Sequence, residues 1–332
     1  SPWYKQSKPW EFSKNGPITF FETPYTYTNT VAIEKATDFA SLRLSYTNYN
    51  ATGLQPNSSL KRNNMTLTGT WKVNKRLTVN GIANYILLKG KGRNVTGYNG
   101  NIVTNFRQWQ QTNLDFKDLK TAYELTQRNL TWNYNSSLTY PIYSDNPYWD
   151  AYQNYETDSR TRFIGNASIN YEIADWLDLY GRISADTYYE MQEERRAEGS
   201  VSMRFGLANV PARVTSGYIR RDNTFSEYNF DLMLKFNKKL GESLSINGIL
   251  GFNERRTNNT FFSNATNGGL LIPGVYSLQN SKQALPLPLE VNQIVGVRSE
   301  YISLSLGYKD FLFLDGTYRN DYASTLPVDN NK

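Results

Sequence analysis

The stretch Thr161 to Glu193, TRFIGNASINYEIADWLDLYGRISADTYYEMQE, leaves few folds open. Phe163, Gly165, Ala167, Ile169, Tyr171 and Ile173 share one parity, and Asn166, Ser168, Asn170 and Glu172 hold the other. Beyond Ala174 and Asp175 the apolar parity resumes at Leu177, Leu179, Gly181, Ile183 and Ala185, with Asp178, Arg182, Ser184 and Asp186 opposite. A period of two gives a strand one apolar and one polar face; a helix would need a period of 3.6. The stretch predicts two antiparallel strands around a tight turn, each arm about twice the common strand length of roughly 5–6 residues.

The same pattern recurs along the chain. Tyr25 to Ile33 and Phe39 to Tyr49 form a first pair around a short turn, followed by the loop NATGLQPNSSLKR. Asn64 to Val73 turns at Asn74 and Lys75 into Leu77 to Leu87. Glu227 to Asn237 turns into Leu244 to Leu250, and Ile302 to Tyr308 turns at Lys309 and Asp310 into Leu312 to Tyr318. Between these hairpins lie three long segments, about Lys89–Ser159, Arg195–Asn223 and Glu254–Arg298, read here as ordered loops because they carry aromatics, Pro and Gly. The first holds one expected helix, Phe116 to Leu125, with Phe116, Leu119 and Tyr123 at helical spacing behind Asp115 as a cap. About ten strands thus alternate short turn and long loop, the pattern of an all-β antiparallel transmembrane barrel.

A soluble sandwich shares the alternation but not the aromatic placement. Trp71, Tyr171, Phe236 and Tyr308 sit on the apolar parity near short turns; Tyr46, Tyr85, Phe163 and Tyr228 sit on it near the long loops. The separation from Phe163 to Tyr171 is roughly 26 Å along a strand. Tilted by about 40°, it spans on the order of 20 Å, close to the apolar band between the aromatic girdles of a membrane barrel. Small residues lie between, where a packed core would have no reason to place them.

Composition narrows the function classes. There is no cysteine and no histidine among the 332 residues. That excludes disulfides, thiolate sites, His-ligated metals and Ser-His-Asp catalysis. The net charge of +6 is scattered, with short clusters such as Lys72–Arg76 and no basic stripe, so no nucleic-acid partner is expected. No run of 18 apolar residues is present, which leaves membrane strands open. The opening SPWYKQSKPWEF lacks the shape of a signal peptide, and the chain is expected to begin after processing or within a longer protein. Glu193 and Glu194 are adjacent, so on a strand they point to opposite faces and do not make a glycosidase pair. Matches to the glycosylation acceptor pattern, such as Asn57-Ser58-Ser59, arise readily by chance in Asn-rich loops. Neither an enzyme nor a cofactor is expected.

Several stretches resemble SusC/RagA-type TonB-dependent outer-membrane transporters: NPYWDAYQNYETDSRTRFIGNASINYEIADWLDLYGRIS, LRLSYTNYNATGLQPNSSLKRNNMTLTG, TFSEYNFDLMLKFNKKL, ATNGGLLIPGVYSLQNS and GYKDFLFLDGTYRNDYASTLP. Their order and spacing run over nearly the whole chain. The resemblance implies the central part of a barrel of about 22 strands with a plug inside. It implies a SusD-like lipoprotein lid and energy from TonB through a plug and TonB box that this chain does not contain. It further implies an oligosaccharide or peptide substrate and residence in the outer membrane of a Gram-negative bacterium. The runner-up readings are a porin-like passive barrel and a secreted all-β adhesin.

Two groups of residues are the expected contact surfaces. Trp109, Trp132, Tyr148, Trp149, Tyr152 and Asn267 lie in the long loops, where they meet a ligand or lid or pack the loops on themselves. Arg43, Asn166, Asp178, Arg182 and Asp231 lie on the polar parity, which in a barrel faces the lumen or plug. The turns at Asn74-Lys75, Ala174-Asp175 and Lys309-Asp310 are expected to be periplasmic, and the loops around Asn57, Tyr148 and Asn267 extracellular.

Overall fold

The computed structural model describes residues 7, 10–93, 101–134, 141–201, 215–309 and 311–331, without the side chains of Trp109 and Asn330. The chain begins with β1 (Thr26–Ala36), β2 (Ala40–Thr52), β3 (Ser59–Lys72) and β4 (Leu77–Lys91). Three helices follow, α1 (Ile102–Trp109), α2 (Phe116–Thr126) and α3 (Pro147–Gln153). Then come β5 (Glu156–Ala174), β6 (Leu177–Arg196), β7 (Gly217–Leu240), β8 (Leu244–Ala265), the short β9 (Asn267–Leu270) and β10 (Ser281–Gln283), β11 (Leu289–Tyr308) and β12 (Leu312–Ala323). Ten strands make one antiparallel sheet in the order β1-β2-β3-β4-β5-β6-β7-β8-β11-β12, and β9 pairs with β10 apart from it. Among the described residues no helix is long and apolar enough to cross a membrane.

The expected hairpins are all present, but the strands run further than the sequence pattern reached. β7 begins at Gly217, β8 continues to Ala265 and β11 begins at Leu289, so much of the segments expected as loops is strand. The reason lies in Arg220–Ser226 and Glu254–Ser263, where the apolar alternation gives way to polar residues on both faces. Ladder pairing continues there, Arg221 with Ser263 and Asn223 with Phe261, without a period-two hydropathy signal. The Asn267-Gly268-Gly269 run, within a segment expected as loop, forms part of strand β9, with Gly268 at φ 72° and Gly269 at φ 100°. The turn read at Ala174 and Asp175 falls at Asp175 and Trp176, after a bulge between Glu172 and Ala174. Asp310 lies outside the described residues.

Register fixes the two faces. Ile183 stands opposite Ala167 and Phe230, while its neighbour Arg182 stands opposite Ser168 and Asp231. The apolar parity is bare: Val31, Leu42, Leu67, Tyr85, Ile169, Ile183, Leu232 and Leu250 are all exposed. Seven of the eight belt aromatics, all but Phe236, are exposed as well. A water-soluble sheet would not leave one whole face of ten strands apolar and uncovered. This is the lipid-facing surface of a membrane-spanning sheet.

The hydrophobic core sits elsewhere. Phe20, Phe106, Phe116, Leu119, Tyr123, Tyr148, Trp149 and Ala151 form one core, built by the three helices and a short 3-10 turn, Pro17–Phe20. It rests at the end of the sheet opposite the tight turns, against the β2–β3 loop, where the Asn57 side chain donates to the Ala151 carbonyl (2.9 Å) and Glu22 N–H to the Leu54 carbonyl (2.8 Å).

Candidate functional site

The helical body is assembled from its caps. Asp115 accepts from the N–H groups of Lys117 (2.9 Å) and Asp118 (3.3 Å), which starts α2 where the sequence expected it. Its other oxygen takes Asn15 Nδ2 (2.8 Å) and Ser13 Oγ (3.2 Å), so the cap also fastens the N-terminal segment. Burial alone would raise the Asp115 carboxyl, but Asn15, the two N–H groups and Ser13 hold it below its ordinary value. Asn146 and Pro147, within the first expected loop, start helix α3. Asn146 accepts from Tyr148 N–H (3.0 Å) and Trp149 N–H (3.4 Å) and donates to the carbonyls of Leu119 (2.9 Å) and Leu130 (2.9 Å). It is wholly buried. One side chain thus caps one helix and ties it to the end of another, with Pro at the first helical position.

Beside it two carboxylates are buried together. Asp145 accepts from Asn129 Nδ2 (2.6 Å) and Val201 N–H (2.8 Å), and Asp150 from Asn154 Nδ2 (2.7 Å). Burial raises both carboxyls far above the usual range, and the Asp145 charge pushes Asp150 further; Arg196 opposes both shifts. Burial likewise lifts the Tyr148 hydroxyl to about 12, and it donates to the Thr19 carbonyl (3.2 Å).

The expected loop residues divide on this geometry. Tyr148 and Trp149 belong to the body's core, and Trp132 packs against it, half-buried. Tyr152 is exposed and stacks on Tyr123 with ring centroids 5.7 Å apart. Asn267 lies in the separate β9–β10 unit and donates to the Ala284 carbonyl (3.0 Å). Trp109 closes α1, and its side chain lies outside the described residues. The helical body therefore gathers Trp132, Tyr148, Trp149 and Tyr152, and not Asn267.

On the polar face Arg182 and Asp231 meet, with Nη2 2.6 Å from Oδ2; Asn253 Nδ2 (2.8 Å) and Asn229 Nδ2 (3.2 Å) complete the Asp231 carboxylate. Asp178 stands in register with Lys235, and Asn166 with Ser184 and Ile82. Arg43 is exposed on β2, 4.0 Å from Glu34. These five share one parity but do not converge on one point.

Closer to the helical body the same face carries residues that the sequence reading passed over. Arg160 pairs with Glu190 and Arg162 with Asp186, each at 2.5 Å; Arg221 pairs with Glu194; Tyr188 stacks on Phe225 at 5.1 Å. Arg93 reaches Asp158 (2.5 Å), whose carboxylate occupies the space that any side chain at Gly90 would need. Their signal was an unbroken run of alternating charges, Asp158, Arg160 and Arg162 facing Asp186 and Glu190, which looks like a solvated strand end until register is known. Glu193 and Glu194 do part to opposite faces, Glu193 to Arg195 (2.9 Å) and Glu194 to Arg221. The arrangement is a stiff wall of matched charge that holds its shape, since each guanidinium is fixed by a carboxylate across the ladder.

The sheet, with its bare face and its helical cap, can be matched to known structures. It aligns with the RagAB peptide transporter over 100% of this chain at TM-score 0.73 and 15% identity, covering 36% of that chain. The chain has the fold of a RagA-type transporter barrel. The RagAB peptide importer in its open-open state matches over 98% of this chain and 35% of that one, at TM-score 0.71 and 15% identity. The ferric-catecholate import receptor Fiu from K12 E. coli matches over 90% of this chain and 39% of that one, at TM-score 0.51 and 10% identity. The chain thus spans a little over a third of the length of these RagA-type and Fiu chains. No protein-family model and no curated protein matches it. The resemblance carried by the sequence stretches is borne out in the fold, and the neighbours are transporters and receptors rather than enzymes.

Proposed function

We propose that these strands are the central part of a TonB-dependent importer of the outer membrane, and that a SusD-like surface lipoprotein docks on the helical body above them. The observation that carries the reading is the pairing of a bare apolar band with a separately cored body at one end of the same strands. A passive pore needs the band alone. A body that fastens residues 13–22, the β2–β3 loop, residues 101–134 and residues 141–153 into one unit offers a rigid landing surface, with Tyr143, Leu125 and Tyr152 exposed on it. The unpaired edges of β1 and β12 would pair with further strands, since bare ladder groups in lipid cost several kcal/mol each. Similarity to a peptide transporter favours a peptide over an oligosaccharide as the substrate.

The test uses the full-length protein. Gly92 N–H meets the Glu156 carbonyl at 2.8 Å, so residues 93–155 can be replaced by a two-residue turn without opening the β4–β5 pair. The variant is expected to reach the outer membrane folded, to lose the lipoprotein on co-purification and to lose energised uptake. Normal uptake with the lipoprotein still bound would refute the docking role.

A further inference from the structure

The lipid-facing side of the sheet carries a polar pocket that transport through the lumen does not use. On β8, β11 and β12 the unbroken apolar parity stops at Phe252, Ile302 and Tyr318, with Ile294 alone resuming it on β11. Beyond it, toward the helical end of the strands, Arg298 stands in register with Glu254 and with Tyr322, and Arg256 stands in register with Gly296. These residues, closed off by Ser324 and Asn331, line an open pocket of about 360 Å³. A Cβ at Gly296 would meet nothing within 4 Å, so the floor between the two arginines is open space.

The arginines are loosely held. Arg298 lies over the Tyr322 ring at 5.0 Å and forms a long ion pair with the Glu300 carboxylate at 3.7 Å, beyond hydrogen-bond length. Among the described residues no carboxylate pairs with Arg256, which is exposed. Glu254 lies level with Arg298 and Glu300 one alternate position nearer the apolar band, which leaves the row beyond them, Arg256 opposite Gly296, without a carboxylate. Parity decides what meets that row. Arg256, Gly296 and Arg298 share the face of Phe252 and Ile302, so they front the membrane and not the lumen.

We propose that this pocket seats a phosphate group from the headgroup of an outer-leaflet lipid, with Arg256 and Arg298 donating to it over Gly296. The guanidinium fork matches phosphate oxygens in pairs, and cationic side chains just beyond the apolar band are placed where headgroup phosphates lie. The inference rests on the outer-membrane reading above, with the helical end of the strands outward.

Full-length barrel purified from outer membranes, washed to remove loose lipid and analysed by native mass spectrometry, is expected to retain a phosphorylated lipid. In Arg256→Ala/Arg298→Ala retention should fall about ten-fold, and in the double Lys variant by less, as lost charged hydrogen bonds predict. Arg319→Ala, on the opposite face beside Asp321, serves as a matched control and should change nothing. Resistance of the barrel to unfolding on an unboiled gel and undiminished lipoprotein co-purification show that the variants fold and that the transport reading stands apart from this one. Equal lipid in wild type and the double Ala variant would overturn the proposal. So would loss of lipid in Glu254→Gln/Glu300→Gln alone, which would assign the pocket to a cation. Calorimetry with inorganic phosphate separates the source: Arg-dependent binding of free phosphate without lipid retention would refute the membrane assignment.

Discussion

An arginine at Ile183 tests which face meets lipid, and the structure sets its magnitude. Ile183 is 56% exposed on the apolar parity. It stands opposite Ala167, which lies midway between Phe163 and Tyr171, the belt aromatics of the same face. Four residues separate it from either belt level, about 13 Å along the strand and about 10 Å in depth at a tilt of about 40°. It therefore sits near the middle of the band, where arginine costs about 2–4 kcal/mol. Leu179, which the alternation alone would put near mid-strand, lies at the third position of β6 opposite Tyr171; arginine there should cost only about 0–1 kcal/mol. Ser184→Arg faces the polar side and should stay within about 1 kcal/mol of wild type. The assay is urea-titrated folding of the full-length protein into bilayers. Equal penalties at Ile183 and Ser184, or a larger one at Leu179 than at Ile183, would refute the facing and depth assigned here.

Two further outcomes follow from the helical body. Asn146→Ala removes a cap, strands the Leu130 carbonyl and cuts the tie to the Leu119 carbonyl in α2, so it should destabilise the body by about 2–4 kcal/mol, read as lost hydrogen-exchange protection in α2 and α3 with the barrel strands unchanged. The raised Asp145 and Asp150 carboxyls make folding of the body costly while they are charged. Because their folded values lie above the unfolded carboxylate value of about 3.9, stability should rise as the pH falls through those values and level off below it. Exchange protection in α3 that weakens on going from pH 8 to pH 5 would contradict this.

What the sequence could and could not convey follows from where water and lipid act. Within the membrane band one face must be apolar, so Phe163–Ile173 and Leu177–Ala185 announce their strands, and register follows from the tight turns. Above the band both faces are wet, and Arg220, Arg221, Asp222 and Asn223 pair in β7 without any alternation to betray it. Helix α2 was legible because Asp115 precedes three apolar residues at helical spacing. Helix α3 was not, since Pro147 to Ala151 are all buried, a contiguous run rather than a periodic one, with a carboxylate inside it. Its Asn146-Pro147 start fits a turn equally well. Phe20 joins that core from more than eighty residues away, a contact that no local pattern carries. Arg182 and Asp231 were placed on the polar face by parity alone, while the Arg160–Glu190 and Arg162–Asp186 pairs needed the register of β5 against β6.

The most direct test of the account is which side of the membrane the helical body occupies. The chain has no cysteine, so one can be placed cleanly. Leu125 is the better probe of the body, being 70% exposed at the end of α2; Asn57 has a positive φ and a bonded side chain. Its counterpart is Asn74, whose side chain caps the tight β3–β4 turn at the other end. A membrane-impermeant thiol reagent on intact cells is expected to label Leu125→Cys in the full-length protein and to leave Asn74→Cys unlabelled until the outer membrane is opened. Labelling of Asn74→Cys with protection of Leu125→Cys would invert the topology and contradict a lid docked from outside.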